Sequence, residues 1–282
     1  MSHMPPPELE VLADVKRALK EDLGDAGDIT AQLIDKNTQA IGRVITREDC
    51  VLCGKHWANA CFQQIDPGLK VTWQFADGDQ VTAGSELFSV RGAARSILSA
   101  ERAALNFLQL LSAVATVTER YVRALAGGPT RVLDTRKTLP GLRLAQKYAV
   151  ACGGGVNHRM GLYDAFLIKE NHIAATGSIT AAVARARSLG QSQLIEVEVE
   201  NLEQLGEAIS AGAQRVLLDN FDLARTRDAV ELAAGRVELE ASGGIEFDRL
   251  EQISATGVDY VSVGALTKNI QAIDLSMRLT TD

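Results

Sequence analysis

The sequence predicts an α/β protein in three parts: an N-terminal α/β sandwich domain over residues 5–112, a short, incomplete parallel α/β barrel over 113–268, and a C-terminal helix over 269–282 packing back on the N-terminal domain. Three observations carry this. Residues 40–91 alternate in a β-like manner with turn residues between the runs. Apolar residues from Ser96 to Ala126 recur every three or four positions without Pro or Gly, the mark of one long helix or two closely joined ones. After that the chain alternates strand and helix to its end, which demands a parallel sheet with right-handed crossovers.

The elements follow in order. MSHM at 1–4 reads as a cloning remnant and PPP at 5–7 as a disordered lead-in. Leu9, Leu12, Val15 and Leu19 then fall on one face of a helix over 8–22, and GDAGDIT at 24–30 supplies the loop after it. Val71 to Phe75, DGDQV at 77–81 and ELFSVRG at 86–92 read as strand, turn, strand. The segment FADGDQVTAGSELFSVRG resembles the turn-rich half of lipoyl and biotinyl carrier domains. No lysine lies between Lys70 and Lys137 to carry a prosthetic group, so that resemblance implies fold only. Strands are expected near 131–134, 165–168, 194–199, 215–218, 237–241 and 259–263, with helices such as 179–189 and 202–211 between them. Six such units in roughly 150 residues fall short of the ~250 of an eight-stranded barrel.

Composition narrows the function. The 282 residues are 46% hydrophobic and 23% charged, ordinary for a soluble chain with a large core. A net charge of −7 argues against a general nucleic-acid surface, so any anion site is local. No apolar run approaches the roughly 18 residues of a membrane span, and no signal peptide opens the chain, which points to the cytoplasm. Of the four cysteines, Cys50 and Cys53 are spaced for metal, but a second pair or suitable histidines are missing, and His56 stands by itself; buried thiols are the expectation for these and for Cys61 and Cys152.

In parallel α/β architecture the ligand site forms at the carboxyl ends of the strands. Read in order, those ends give Arg136 and Lys137, then Lys169, then Glu198 and Glu200, then Asp219 and Asn220, then Ser242, Gly243 and Gly244, then Gly264. Cations come first, carboxylates next and glycine turns last, a division that suits a substrate with carboxylates, a metal-bound diphosphate and a terminal phosphate. Arg136, Lys137, Arg159 and Lys169, with His158 beside Arg159, supply donors for planar carboxylates. Glu198 and Asp219 are hard oxygen ligands for Mg2+, which takes one or two protein carboxylates plus substrate phosphates; Glu200 is the alternative ligand or a supporting partner. The amides of ASGGIEF, ahead of a helix expected from Glu246, can form a phosphate nest, reinforced by VSVGALTKN with Val263, Gly264 and Ala265.

The run LDTRKTLPGLRLAQKYAVACGGGVNHRMGLYDAFLIKENHI, followed by IEVEVE, LLDN, EASGGI and VSVGALT, closely resembles the quinolinate phosphoribosyltransferase family, also called carboxylating nicotinate-nucleotide pyrophosphorylase. GDIT and SAERAALNFLQ in the first half share the likeness, as do paralogues associated with molybdenum transport. The resemblance implies the type II phosphoribosyltransferase fold and the reaction of quinolinate with phosphoribosyl pyrophosphate, giving nicotinate mononucleotide, pyrophosphate and CO2, with magnesium. It implies that Thr135, Arg136, Lys137, His158, Arg159, Lys169, Glu198, Asp219, Ser242, Gly243, Gly244, Val263, Gly264 and Ala265 bind substrate, with Lys137, Lys169, Glu198 and Asp219 catalytic. It also implies that Arg102 enters a neighbouring subunit's site, hence a homodimer or higher even oligomer. Rival readings are a related pyridine phosphoribosyltransferase and a noncatalytic phosphate-ligand binding protein.

Overall fold

The computed structural model describes residues 5–125, 128–189 and 192–281; the MSHM leader lies outside the described residues. In chain order the elements are α1 (Glu8–Leu23), β1 (Gln39–Thr46), β2 (Cys50–Val51), α2 (Lys55–Ile65), β3 (Lys70–Trp73), β4 (Gln80–Val81), β5 (Glu86–Ala93), α3 (Ala94–Ala124), β6 (Arg131–Leu133) and α4 (Arg143–Cys152). They continue with β7 (Ala165–Ile168), α5 (Glu170–Thr176), α6 (Ile179–Ser188), β8 (Leu194–Val199), α7 (Leu202–Ala211), β9 (Arg215–Asp219), α8 (Leu223–Ala233), β10 (Glu238–Ser242), α9 (Leu250–Ser254), β11 (Tyr260–Ser262), α10 (Ala265–Lys268) and β12 (Leu275–Thr281). The chain divides into two compact units. The first holds the described residues of Met1–Glu119, Thr138–Gly154 and Ala265–Asp282; the second is Arg120–Lys137 with Gly155–Gly264.

The first unit is built on an antiparallel sheet in the order β12-β1-β5-β3. Strand β1 buries alternate residues, Ala40, Gly42, Val44 and Thr46, as a strand with one covered face must. Gly42 is needed there because a Cβ would lie 2.9 Å from Met277 Sδ and 3.1 Å from Val90 Cγ1. Trp57, Phe62, Phe88, Leu105, Leu108 and Leu111 fill the core, and the four cysteines are free and buried beside them.

Several expectations are corrected. The span 40–91 is not all β: α2 interrupts it, burying Trp57, Ala58, Cys61 and Phe62 at helical spacing. In α1 the covered face is Val11, Asp14, Val15 and Leu19, while Leu9 stands exposed. Pro7 is ordered rather than a loose lead-in, its carbonyl accepting the amides of Glu10 and Val11 at 3.1 and 3.2 Å. The C-terminal helix is instead β12, paired antiparallel with β1 from Thr46 opposite Leu275 to Ala40 opposite Thr281. Leu275, Met277 and Leu279 recur with a period of two, which is a strand's repeat and not a helix's. The two compact units are not continuous in sequence, since α4 belongs to the first unit. Gly153 after it lets the backbone close on α3; a Cβ there would stand 2.4 Å from the Ala115 carbonyl oxygen.

The second unit is a six-stranded, wholly parallel sheet in the order β6-β11-β10-β9-β8-β7. Strands β6 and β7 are edges that do not pair, so the barrel is incomplete, as the count of units requires. One face of the sheet, with Val197, Val199, Val216, Leu218, Leu239 and Ala241, packs on helix residues such as Val183, Leu205, Ala208 and Ala229. Alternation turns Glu196, Glu198, Arg215, Asp219, Glu238, Glu240 and Ser242 to the opposite face, the inside of the open barrel. Helices start where side chains cap them: Ser178, Asn201 and Asp222 accept the amides of Ala181, Gln204 and Arg225. Each such cap contributes about 1 kcal/mol.

Candidate functional site

The carboxyl end of β6 runs into Asp134, which is fully buried and ties the neighbouring loop to the strand. Its carboxylate accepts the His158 amide at 2.8 Å and the Asn157 side-chain amide at 2.7 Å. Thr135 then makes a tight turn in which its hydroxyl accepts the Lys137 amide at 3.0 Å. Gly264, following β11, lies against the same turn: a Cβ on it would meet Lys137 Cδ at 2.8 Å and Thr135 Oγ1 at 3.4 Å. So the strand ends in adjacent cations because a buried aspartate and a threonine turn hold the backbone that carries them.

Arg136 and Arg159 gather in one place. Burial first, and then the repulsion of Arg136, lower the Arg159 pKa, with Glu196 and Asp164 opposing. The repulsion between the two guanidinium groups favours an anion near them, with Glu196 and Asp164 offsetting part of the charge on Arg159. The loop carrying Arg159 is closed by Asp164, whose oxygens accept the amides of Met160 at 2.6 Å and Gly161 at 2.9 Å. The Arg159 guanidinium also reaches the Ala165 carbonyl at 3.3 Å.

On the next strands, Lys169 and Glu198 form a direct ion pair. The sequence reading put them on different substrates; the structure joins them, so Lys169 links the cation group to the carboxylate group. Glu198 lies inside the barrel while Glu200 is exposed at the turn beyond β8, its amide held by Gln204 Oε1 at 2.7 Å. That geometry favours Glu198 as the inward carboxylate. Asp219 ends β9, its Oδ2 accepting from Asn220 Nδ2 at 3.0 Å. Asn220 adopts a left-handed conformation, φ 56°, and its amide donates to the Ser242 carbonyl at 3.0 Å. Gly243 and Gly244 follow at φ 92° and 56°, and a Cβ on Gly243 would lie 2.1 Å from Asn220 Oδ1. The helix expected from Glu246 is only a 3-10 turn, Phe247–Arg249, before α9. The glycine turn therefore offers its amides without a long helix behind it, and Arg249 lines the same small cleft.

Below these groups lies a cluster that the sequence reading missed. His158 Nε2 is 2.9 Å from Glu196 Oε2 and 3.4 Å from Glu240 Oε2, and both carboxylates are fully buried. Burial by itself would lower the imidazole pKa, but the two carboxylates outweigh it and push it up to about 9. Burial raises Glu196 to about 7; for Glu240 burial acts upward too, yet His158 holds it below the ordinary value. The cluster thus retains a proton at neutral pH, as coupled groups do. The Arg159 amide approaches His158 Nδ1 at 2.7 Å, which turns Nε2 toward the two carboxylates. The ligand atoms of His158, Glu196 and Glu240 lie within 4.8 Å of one another, a set that could hold a cation. None of the four carboxylate oxygens of Glu196 and Glu240 has a hydrogen-bond partner among the described residues, so the pair is held by charge attraction to His158. Alternation could have placed Glu196 inside from Glu198, and Glu240 from Ser242, because each stands two residues before a site position.

Of the expected residues, Thr135, Arg136, Lys137, His158, Arg159, Lys169, Glu198, Asp219, Ser242, Gly243, Gly244, Val263 and Gly264 belong to the second unit. They occupy carboxyl ends of its strands or the loops there. Val263 is buried, its amide bonded to the Leu133 carbonyl at 3.0 Å, so it offers backbone only. Arg102 and Ala265 belong to the first unit, Arg102 exposed on α3 and Ala265 opening α10.

An open parallel α/β barrel with clustered cations, paired inward carboxylates and a glycine turn defines a polyanion-handling α/β protein with a built ligand site. Residues 28–112 match the N-terminal domain, and 114–278 the C-terminal domain, of quinolinate phosphoribosyl transferase. The chain belongs to the quinolinate phosphoribosyl transferase family. It is 41% identical to the chloroplastic nicotinate-nucleotide pyrophosphorylase (carboxylating) of Oryza sativa subsp. japonica, over 98% of this chain and 79% of that one. It is also 41% identical to the corresponding protein of Mycobacterium leprae, over 94% of this chain and 95% of that one. The solved nicotinate-nucleotide pyrophosphorylase of Francisella tularensis superposes with a TM-score of 0.96 at 48% identity, covering 98% of both chains.

Proposed function

We propose that the chain transfers the phosphoribosyl group of phosphoribosyl pyrophosphate to quinolinate with loss of CO2, giving nicotinate mononucleotide and pyrophosphate. Membership of this family and the names of the relatives support the reaction. The single structural observation that carries it is that the second unit's strand ends and adjoining loops present Arg136, Lys137 and Arg159 together with the Lys169–Glu198 ion pair. Quinolinate offers two adjacent carboxylates to such a group, and Lys137 adds a further point charge. Held there, the pyridine nitrogen is positioned to attack the ribose carbon as diphosphate departs, and positioning with charge stabilisation supplies most of the acceleration. Once the nitrogen is quaternised it stabilises the carbanion left as the C–CO2 bond breaks, so CO2 departs without a separate electron sink, and the ring carbon then takes a proton from solvent.

Each of Glu198 and Asp219 has one oxygen engaged by the protein, and the other is the hard donor a divalent ion takes. These two residues would hold a magnesium ion, whose chemistry there is to draw negative charge from the diphosphate. The exposed Arg102 on α3 is assigned to the site of a second copy, which makes the working form a homodimer or higher even oligomer. Among the described residues no helix is long and apolar enough to cross a membrane. The test is a choice of substrate: turnover with quinolinate and none with nicotinate is expected. Turnover with nicotinate alone would make this a pyridine transferase of another kind, and binding without pyrophosphate release would make it a binding protein.

A further inference from the structure

Gln146 is fully buried on α4, and its side-chain amide is engaged at both ends. Its Oε1 accepts the Leu139 amide hydrogen at 2.7 Å, and its Nε2 donates to the Thr267 carbonyl at 2.8 Å. All three residues belong to the first unit. Leu139 is two residues beyond Lys137 on the chain leaving β6; Thr267, also fully buried, is three beyond Gly264 on the chain leaving β11. At the sheet these two chains share a bond from the Val263 amide to the Leu133 carbonyl at 3.0 Å. They then touch where Gly264 lies against Lys137, its Cβ position 2.8 Å from Lys137 Cδ. A primary amide carries a carbonyl oxygen and an N–H as a peptide group does, so Gln146 ties the two chains again beyond their turns. Arg143, one turn of α4 earlier, adds a bond from its Nε to Thr138 Oγ1 at 3.1 Å. Burying an amide is costly unless its hydrogen bonds are made, and here each goes to the backbone of a chain leaving the ligand site.

We propose that Gln146 is a positioning residue for both substrates, clasping the chain that carries Lys137 to the chain that carries the Val263–Ala265 turn. The role rests on the reading of Lys137 as a quinolinate ligand and of that turn as a phosphate ligand. The oxygen of Gln146 fixes the first chain and its nitrogen the second. Glutamate keeps an acceptor for the Leu139 amide in either protonation state, whereas methionine, of similar length, offers neither an acceptor nor a donor of comparable strength. A cation and an amide turn whose backbones are already fixed meet their ligands with less loss of freedom on binding.

The experiment has two arms. Calorimetry first establishes that the wild-type protein binds quinolinate; no binding overturns the functional reading, while the second arm still decides whether the clasp exists. With binding established, Gln146→Met is expected to raise the KM for quinolinate and that for phosphoribosyl pyrophosphate about tenfold each, one hydrogen bond's worth apiece. Gln146→Glu is expected to bring the quinolinate KM back to within about threefold of wild type, since one of the two bonds is kept. If methionine does not fold, Gln146→Asn, one methylene short of reaching both backbones, takes its place with the same expectation. A variant that is only less stable holds less active protein, which lowers kcat and moves neither KM. That result, a rise confined to one substrate, or a quinolinate KM equally raised in the methionine and glutamate variants would overturn the proposal. The second arm uses wild-type protein alone. Hydrogen exchange read by mass on overlapping peptides across 138–142 is expected to show the Leu139 amide exchanging about a hundredfold more slowly than in an unstructured peptide. Exchange at the unstructured rate would show that the clasp does not form.

Discussion

Replacing Gly243 with alanine tests how the glycine turn is built. At φ 92° an L-residue is strained, and the new methyl would lie 2.1 Å from Asn220 Oδ1, 2.7 Å from its Cγ and 3.1 Å from its backbone nitrogen. Asn220 cannot retreat freely, because its amide is bonded to the Ser242 carbonyl and its side chain to Asp219. The left-handed backbone costs roughly 1–2 kcal/mol and the overpacking roughly 1–3. Gly244 supplies the control: it is also left-handed, φ 56°, but nothing lies within 4 Å of its Cβ position. Gly244→Ala should therefore carry the backbone cost only. The difference of about 2 kcal/mol corresponds to roughly 4–8 °C in Tm for a unit of this size. Because the clash displaces the partner of Asp219, Gly243→Ala should also raise the KM for phosphoribosyl pyrophosphate more than that for quinolinate. Thermal unfolding and steady-state kinetics of both variants measure this. Equal Tm values for the two would refute the packing argument.

Arg136→Ala or Arg159→Ala should weaken quinolinate binding, read by calorimetry, by roughly 1.5–3 kcal/mol, the range for a hydrogen bond to a charged group. Lys169→Ala should impair the use of both substrates, since it also strips Glu198 of its ion-pair partner; an effect confined to quinolinate would contradict that pairing. The buried cluster gives a pH dependence of stability. Folded, it holds a proton that the unfolded chain releases, His158 being raised to about 9 from an ordinary 6.5. That stabilisation is complete below the unfolded pKa and is lost as pH rises through the folded one, so Tm should decline between about pH 6.5 and 9. Glu240→Gln should flatten the decline, and a Tm that rises over this range would reverse the assignment. Arg102→Ala and Lys137→Ala proteins should each be nearly inactive and recover about a quarter of wild-type activity on co-refolding, since half the dimers are mixed and each has one intact site. No recovery in verified heterodimers would return Arg102 to its own chain.

The parallel half was legible because its strands carry a strong period and sharp ends: 165–168, 194–199 and the helix at 202–211 coincide with the observed elements. The strand-end rule then collected the charged positions with no knowledge of side-chain directions. What it could not read was partnership. Lys169 and Glu198 are 29 residues apart, and only the sheet register brings them together. Glu196 and Glu240 looked like ordinary alternate residues of charged strands, because nothing local marks a carboxylate as wholly buried. In the first half, α2 is short and its apolar face mimics the β-like stretches on either side. Thr280 and Thr281 belong to a strand whose partner lies about 240 residues earlier, a contact beyond any local pattern.

The central claim concerns a decarboxylating transfer, and it is tested most directly by isotope. Quinolinate labelled in the carboxyl carbon at ring position 2 is incubated with the protein, phosphoribosyl pyrophosphate and magnesium. Labelled CO2, pyrophosphate and nicotinate mononucleotide should appear in equal amounts. Pyrophosphate released without labelled CO2, or no release of either, would contradict the account.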